Sequence, residues 1–482
     1  MNTQPFWRID PRGKIEIDEF FLVHYLAELG FAYYSPTIDY TVEPQILNID
    51  GNIVEPIIPY WIHKEVTAYL SNFEYDRDYI PDEIRPKLVS EVIRSRVLTK
   101  KEVIGCLPKL DKKILSDTKD TAYFVFKDKA VTVTKEGINY IEIDKMDNYV
   151  WKSQIIDKDF NLRPMDEVKE RSEYYHFLRN ITSVKSNDKW EFNEERLMNL
   201  LTLQGYLLHS FKDKAKAKAV ALMDASEIGE PNGRTGKGLL VSGLGKMRKT
   251  TLEDGKSFKD DNRFKFSQVN SDTKILFVND VKENFNFENF FPAITDGITV
   301  EVKFENKRTI SFEDSPKIVI STNYAILGRG SSFEDRIYEF ELSNYYSNIH
   351  KPIHDFKHLF FDEWDSDQWD LFYSLMLYSI QEYLNKGVVE TKGINRDRNK
   401  LISETNKLFV DWVSNYELRP DKEYNKKELY KDFCDFVGVS PLLNDISQQT
   451  CTKYLKIWAR YQNLNPKEGH SGDEKNIEFI SK

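Results

Sequence analysis

The sequence predicts a multidomain α/β protein with a mainly parallel sheet at its centre, α+β modules before it and a small module of helices and strand after it. Three observations lead there. The apolar run at 220–223 breaks into a Gly-rich turn and resumes as a helical pattern at Leu239. Two further short apolar runs, at 275–278 and 318–320, are each followed by a polar residue, as strands buried on both faces are. The 482-residue chain suits about three domains at ~150 residues each.

Composition narrows the class. The 40% hydrophobic and 30% charged residues fit a globular protein, no apolar run approaches a bilayer span, and a cytoplasmic location is expected. Cys106, Cys434 and Cys451 lack CxxC spacing, so they read as reduced packing residues. A net charge of −10 argues against a surface that coats nucleic acid throughout, while leaving room for a local basic channel.

The stretch AVALMDASEIGEPNGRTGKG, from Ala219 to Gly238, has the outline of a phosphate-binding loop. Backbone N–H groups of Asn232, Gly233, Arg234, Thr235, Gly236 and Gly238 would cradle phosphates at a helix N-terminus, and Lys237 would reach the β- and γ-oxygens. The match to GxxxxGK[ST] is imperfect. Pro231 stands where the first Gly is expected, and Gly238 replaces the hydroxyl residue that touches Mg²⁺.

The run Ile275-Leu276-Phe277-Val278 is followed by Asn279-Asp280, four apolar residues leading to an acid at a sheet edge. Asp280 would hold water on Mg²⁺ or orient the attacking water, with Asn279 where a second acid is usual. The third buried strand, KIVIST, ends at Asn323, whose amide suits a γ-phosphate sensor. Between them, ITVEVKFENKRTISF reads as a hairpin with Lys303, Lys307 and Arg308 near its tip. Arg336, in FEDRIYEFEL, is placed to reach a neighbouring subunit's nucleotide.

The remaining chain divides as a 1–110 α+β module, a 111–164 β-rich module, a 165–218 helical collar, the 219–345 core, a 346–397 helical lid and a 398–482 terminal module. Lys212, Lys214, Lys216 and Lys218 read as a solvated helix end. His350, His354 and His358 are spaced for one helix face, but Pro352 starts the helix inside the run and no HExxH glutamate is present. The tail predicts three helices, a polar turn and a short strand, NIEFIS, which fit a winged-helix module or a plain helical packing domain; in the first case Lys453, Lys456 and Arg460 share a face of the third helix that is offered to DNA.

In order and spacing, residues 219–345 resemble the helicase core of superfamily 3, the compact P-loop AAA+ type of phage, viral and plasmid replication proteins. The likeness is strongest to the helicase part of phage or plasmid primase-helicases. It rests on GEPNGRTGKGLL, ILFVND, the ITDGITVEVKFENKRTISF segment, SPKIVISTNY and FEDRIYEFEL.

The resemblance implies an ATP- and Mg²⁺-dependent DNA helicase, a homo-oligomer, hexameric in the family, that translocates on single-stranded or forked DNA. It implies Lys237, Asp280, Asn279, Asn323 and Arg336 at the catalytic centre, and the hairpin cations on DNA. A primase or loader is the kind of partner expected for the N-terminal modules. The alternative is an ATP-switched DNA-binding oligomer, an origin-binding or packaging factor with little unwinding, because Gly238 and Asn279 each weaken the expected metal site. A small-molecule P-loop kinase would leave the hairpin and Arg336 without use.

Overall fold

The computed structural model describes residues 5–35, 45–72, 80–227, 233–256, 258, 265–283, 285–303, 307–328, 330–441, 445–471 and 474–481. It is a multidomain α/β protein whose centre is a five-stranded, all-parallel sheet. In chain order the strands are β1 (Ala219–Asp224), β2 (Thr250–Asp254), β3 (Ile275–Val281), β4 (Lys317–Thr322) and β5 (Ile337–Leu342), lying side by side as 5-1-4-3-2. Helix α1 (Glu194–Leu208) is the last helix before the sheet; α2 (Lys237–Gly245) follows β1, and the long α3 (Ser366–Lys386) comes after β5.

The apolar runs behave as strands because both faces are covered. Val220, Leu222, Ile275, Phe277, Val319 and Phe340 enter one core with α1, α2 and α3. Ala219, Ala221, Leu276, Val278, Ile318 and Ile320 enter the other, against the 287–300 segment and Ile310. This alternation is the period of two that strand geometry imposes. Helix α1 lies close on α3 at Gly205, where a Cβ would sit 2.1 Å from the Ser379 carbonyl oxygen.

Strand order also fixes where a ligand can enter. The chain leaves β1 toward the far edge, occupied by β2, and leaves β4 in the opposite direction, toward β5. Adjacent strands whose connections diverge open a crevice beyond their carboxyl ends. That crevice holds the Gly-rich loop.

At the opposite edge of the sheet, charges are buried. Helix α1 leaves its last carbonyls without intrahelical partners. The Lys317 ammonium, fully buried, donates to the carbonyls of Tyr206 (2.6 Å) and His209 (2.5 Å), and Arg248 donates to that of Leu208 (3.0 Å). Arg248 also pairs with buried Asp117 at 2.8 Å, which ties the 111–164 module to the core. The 209–218 segment is not helical; Lys214 and Lys216 are exposed as expected, but Lys212 is buried, bonds Ser315 Oγ at 2.6 Å and lies 4.3 Å from the centre of the Phe312 ring. One aromatic ring and a hydroxyl replace the water expected around it.

The N-terminal region holds a four-stranded sheet of 31–34, 45–50, 53–57 and 150–151, and a second of 155–156, 122–126, 130–133 and 138–141. Its helix at Pro59–Ser71 carries Trp61 and His63. Strand 150–151 comes from the second segment but pairs in the first sheet, so the two modules interlock.

The C-terminal tail differs from expectation in two places. The first helix is two, Arg396–Glu404 and Lys407–Asn415, because Asn406 caps a new start. The polar turn is a hairpin: Leu464–Ser471 pairs antiparallel with Glu474–Ser481, and the 423–425 strand adds to its other side. Helix, strand, two helices (Lys426–Val437 and Gln448–Tyr461) and hairpin are thus in winged-helix order. Among the described residues no helix is long and apolar enough to cross a membrane.

Candidate functional site

The loop is shaped by a residue that the sequence pattern left unassigned. Asp224, the last residue of β1, is buried. Its carboxylate accepts from Gly233 N at 3.1 Å, from the Thr235 hydroxyl, and from Lys237 Nζ at 2.6 Å. A buried carboxylate needs such donors, since an uncompensated one costs several kcal/mol. All three come from the loop, so neutralising Asp224 and folding the loop are one event.

Gly233 and Gly236 have φ of 104° and 110°, a region that glycine enters without strain, and Arg234 joins them at 60°. Gly236 caps α2, whose first residue is Lys237. The turn also presses on Phe177: a Cβ on Gly236 would lie 2.9 Å from the ring. Gly238 is different. It is exposed, and a Cβ there would meet nothing within 4 Å. Asn232 lies outside the described residues.

Lys237 links the ends of two adjacent strands. Besides Asp224 it donates to Asn323 Oδ1, just past β4, at 2.8 Å. Burial pulls its pKa below the ordinary lysine range, opposed by the charges of Asp224 and Asp280. Two of its three protons are used. Lysine, strand-end amide and loop N–H groups therefore converge where a phosphate chain would lie.

Asn279 and Asp280 interrupt the β3 ladder. Register shifts between Val278 and Val281, and Asp280 has φ of 61°, as where a bulge re-aims a side chain. Ser321 of β4 fixes both residues: its hydroxyl donates to Asn279 Oδ1 at 2.8 Å and accepts from Asp280 N at 2.9 Å. The Asp280 carboxylate, partly exposed, pairs with Lys256 Nζ at 2.6 Å. Among the described residues no three His, Cys, Asp or Glu side chains cluster to hold a metal. A Mg²⁺ ion here would take few protein ligands and the rest from phosphate and water, as it commonly does, and Asp280 fits that part.

Arg336 is at the other edge. It precedes β5, and its carbonyl accepts from Ala219 N, at the start of β1, at 2.9 Å. The length of β1 separates it from Lys237, about 20 Å for six residues. Its guanidinium donates to Ser332 O at 2.8 Å and lies 4.8 Å from the centre of the Phe291 ring.

The hairpin forms from Gly297–Val300 and Arg308–Ser311, and its 304–306 residues lie outside the described ones. Its cations differ in setting. Lys303 and Lys307 are exposed, Lys307 pairing with Glu301 at 2.6 Å. Arg308 turns back into its own subunit, donating to Val269 O at 2.7 Å and Asn270 Oδ1 at 2.5 Å. The expectation of a DNA-facing Arg308 is corrected on that ground: its guanidinium is taken up by two acceptors of the 269–270 segment.

In the C-terminal module Lys453, Lys456 and Arg460 do lie along one face, lining a groove of about 420 Å³ with Leu464, Asn465 and Pro466. Two of the three are paired. Lys456 meets Glu468, which also meets Lys426, and Arg460 lies 3.4 Å from Glu404. His350 and His358 flank the Pro352–Phe356 helix and pair separately with Asp355 and Glu173, both at 2.7 Å, so the three histidines form no common site.

No family model matches the chain, and no curated protein matches it. Among solved structures, the A form apo structure of the NrS-1 C terminal region is similar at 14% identity, over 96% of this chain and 99% of that one, with a TM-score of 0.41. A second structure of that region gives 0.42. A JCV helicase bound to a thiazolopyridine acetamide compound is similar at 14% identity over 52% of this chain and 71% of that one, with a TM-score of 0.26.

Two outcomes are expected. Gly236→Ala adds ~1–3 kcal/mol of backbone strain and a clash with Phe177, so it should lower the melting temperature measured by calorimetry, whereas Gly238→Ala should melt as wild type. In the second, the two lysines hold the Glu468 carboxyl down at about 2, against an ordinary 4.5. A depressed carboxyl stabilises above its unfolded pKa and loses that as pH falls through the folded one. The melting-temperature advantage over Glu468→Gln should therefore be full above about pH 4.5 and vanish near pH 2.

Proposed function

We propose that the chain is an ATP-dependent replicative DNA helicase of the superfamily 3 type, serving a phage or plasmid and working as a ring, hexameric by resemblance. The observation that carries this reading is the meeting of Lys237, Asp224 and Asn323 beyond the carboxyl ends of β1 and β4. Lys237 would bind the β- and γ-phosphates together with the N–H groups of the 233–238 turn and of the first turn of α2. Asn323 would pass from the lysine to the γ-phosphate side when nucleotide enters. Asp280 would release Lys256 and hold the metal's water. Mg²⁺, when bound, supplies charge neutralisation between the phosphates.

Arg336 serves this reading only in trans, since it lies at the other edge of its own sheet. Lys303 and Lys307 of the hairpin, with Lys453, Lys456 and Arg460, would contact DNA phosphates. Such contacts are independent of sequence and sensitive to salt.

One observation favours the second reading, an ATP-switched DNA-binding oligomer with little unwinding. Asn279 is held as a neutral partner of Ser321, and Gly238 offers no hydroxyl, so the metal has one acid where two ligands are usual. The two readings separate in a hydrolysis assay with and without single-stranded DNA. The helicase reading expects DNA-stimulated turnover that Lys237→Ala abolishes. Nucleotide binding without turnover would transfer the conclusion to the switch.

A further inference from the structure

The loop is held from two ends by different parts of the chain. Asp224 holds its far end, at Gly233 and Thr235. Its root, Ala225-Ser226-Glu227, is held by the C-terminal module. Asn395 Nδ2 donates to Ala225 O at 2.6 Å, Asn399 Nδ2 to Ser226 O at 2.8 Å, and Arg398 Nε to Glu227 Oε1 at 3.2 Å.

These donors sit at the start of the Arg396–Glu404 helix, and the sheet fixes that start. Glu341 of β5, buried, accepts the N–H groups of Ile394 (2.5 Å) and Asn395 (3.2 Å), neutralising a helix N-terminus. Gly393 packs so closely there that a Cβ would lie 2.6 Å from Glu341 Oε2.

The other face of the same helix belongs elsewhere. Leu401 and Ile402 enter the core shared with Trp412, Phe433, Leu455 and Trp458. Glu404 at its end accepts from Tyr461 at 2.9 Å and pairs with Arg460, on the helix that carries the basic groove. One rigid helix thus touches the root of the phosphate loop at one end and the basic helix at the other.

We propose that Asn395 and Asn399 are positioning residues for the phosphate loop, through which nucleotide occupancy and DNA binding at the C-terminal module sense each other. This rests on the reading of the loop as a nucleotide site. The amides hold two root carbonyls, so a shift of the helix must drag the root or break both bonds. By linkage, whatever factor nucleotide applies to DNA affinity, DNA applies to nucleotide affinity.

The test uses the full chain with ATP and Mg²⁺, a non-hydrolysable ATP analogue and a labelled single-stranded oligonucleotide. Asn395→Asp and Asn399→Asp keep shape but face a carboxylate toward a carbonyl oxygen. Each should raise the KM for ATP about 5- to 10-fold, beyond a single lost hydrogen bond, with kcat less affected. In each, the ratio of oligonucleotide affinities with and without the analogue should fall to near 1. Lys400→Ala, which cuts the same helix from Glu339 (2.6 Å) but not from the root, should change neither.

Wild type that binds no nucleotide would sink the reading of the loop, and this proposal with it. Wild type that binds nucleotide and shows the linkage, while both Asp variants with unchanged melting profiles keep it, would overturn the proposal alone. Should the variants not fold, hydrogen exchange on wild type decides: oligonucleotide should alter protection at 225–227, and no change there would overturn the coupling.

Discussion

The candidate site depends on one buried carboxylate. β1 is covered on both faces, so its last residue, Asp224, ends in a place that water hardly reaches. A charge there must be met by donors. The nearest available are those of the segment that follows, and Gly233, Thr235 and Lys237 supply them. The loop's positive-φ turns, the start of α2 and the aim of the lysine follow from meeting that need. The same carboxylate opposes the downward pull of burial on the lysine's pKa.

Sheet order turns this local arrangement into a site. With β1 between β5 and β4, the loop opens beside Asn323, and the bulge of β3 turns Asp280 out at the next position but one. All these groups occupy the carboxyl edge. The amino edge holds the buried polar groups Lys317, Arg248 and Asp117, which close the end of α1 and attach the N-terminal modules. Arg336 belongs to that second edge. A single subunit therefore cannot bring Arg336 to Lys237, and any shared role demands a neighbouring copy.

Much of the core was legible because buried parallel strands announce themselves as short apolar runs, and because a turn needing positive φ shows its glycines. Gly233 and Gly236 stand at positive φ as that pattern requires, and Lys237 meets Asn323 at the end of an apolar run. Asp224 had the same form as Asp280, an acid ending an apolar run, and that signal was there to use. Ser321 was not legible, since its task depends on a neighbouring strand's bulge. Arg308 and Lys212 misled for a related reason: a basic residue in a polar stretch looks solvated until a carbonyl or ring from a distant segment is placed beside it. The C-terminal hairpin was hidden because Pro466 and Gly469 are poor strand residues, tolerated on an edge strand.

The proposed helicase needs a nucleotide site at Lys237 that Arg336 of a neighbouring copy completes. Mixing two inactive proteins, Lys237→Ala and Arg336→Ala, tests it most directly. In a mixed assembly some interfaces pair an intact lysine with an intact arginine, and ATP hydrolysis should reappear in the mixture though neither parent shows it. A mixture as inactive as its parents, with both variants shown to assemble together, would contradict the account.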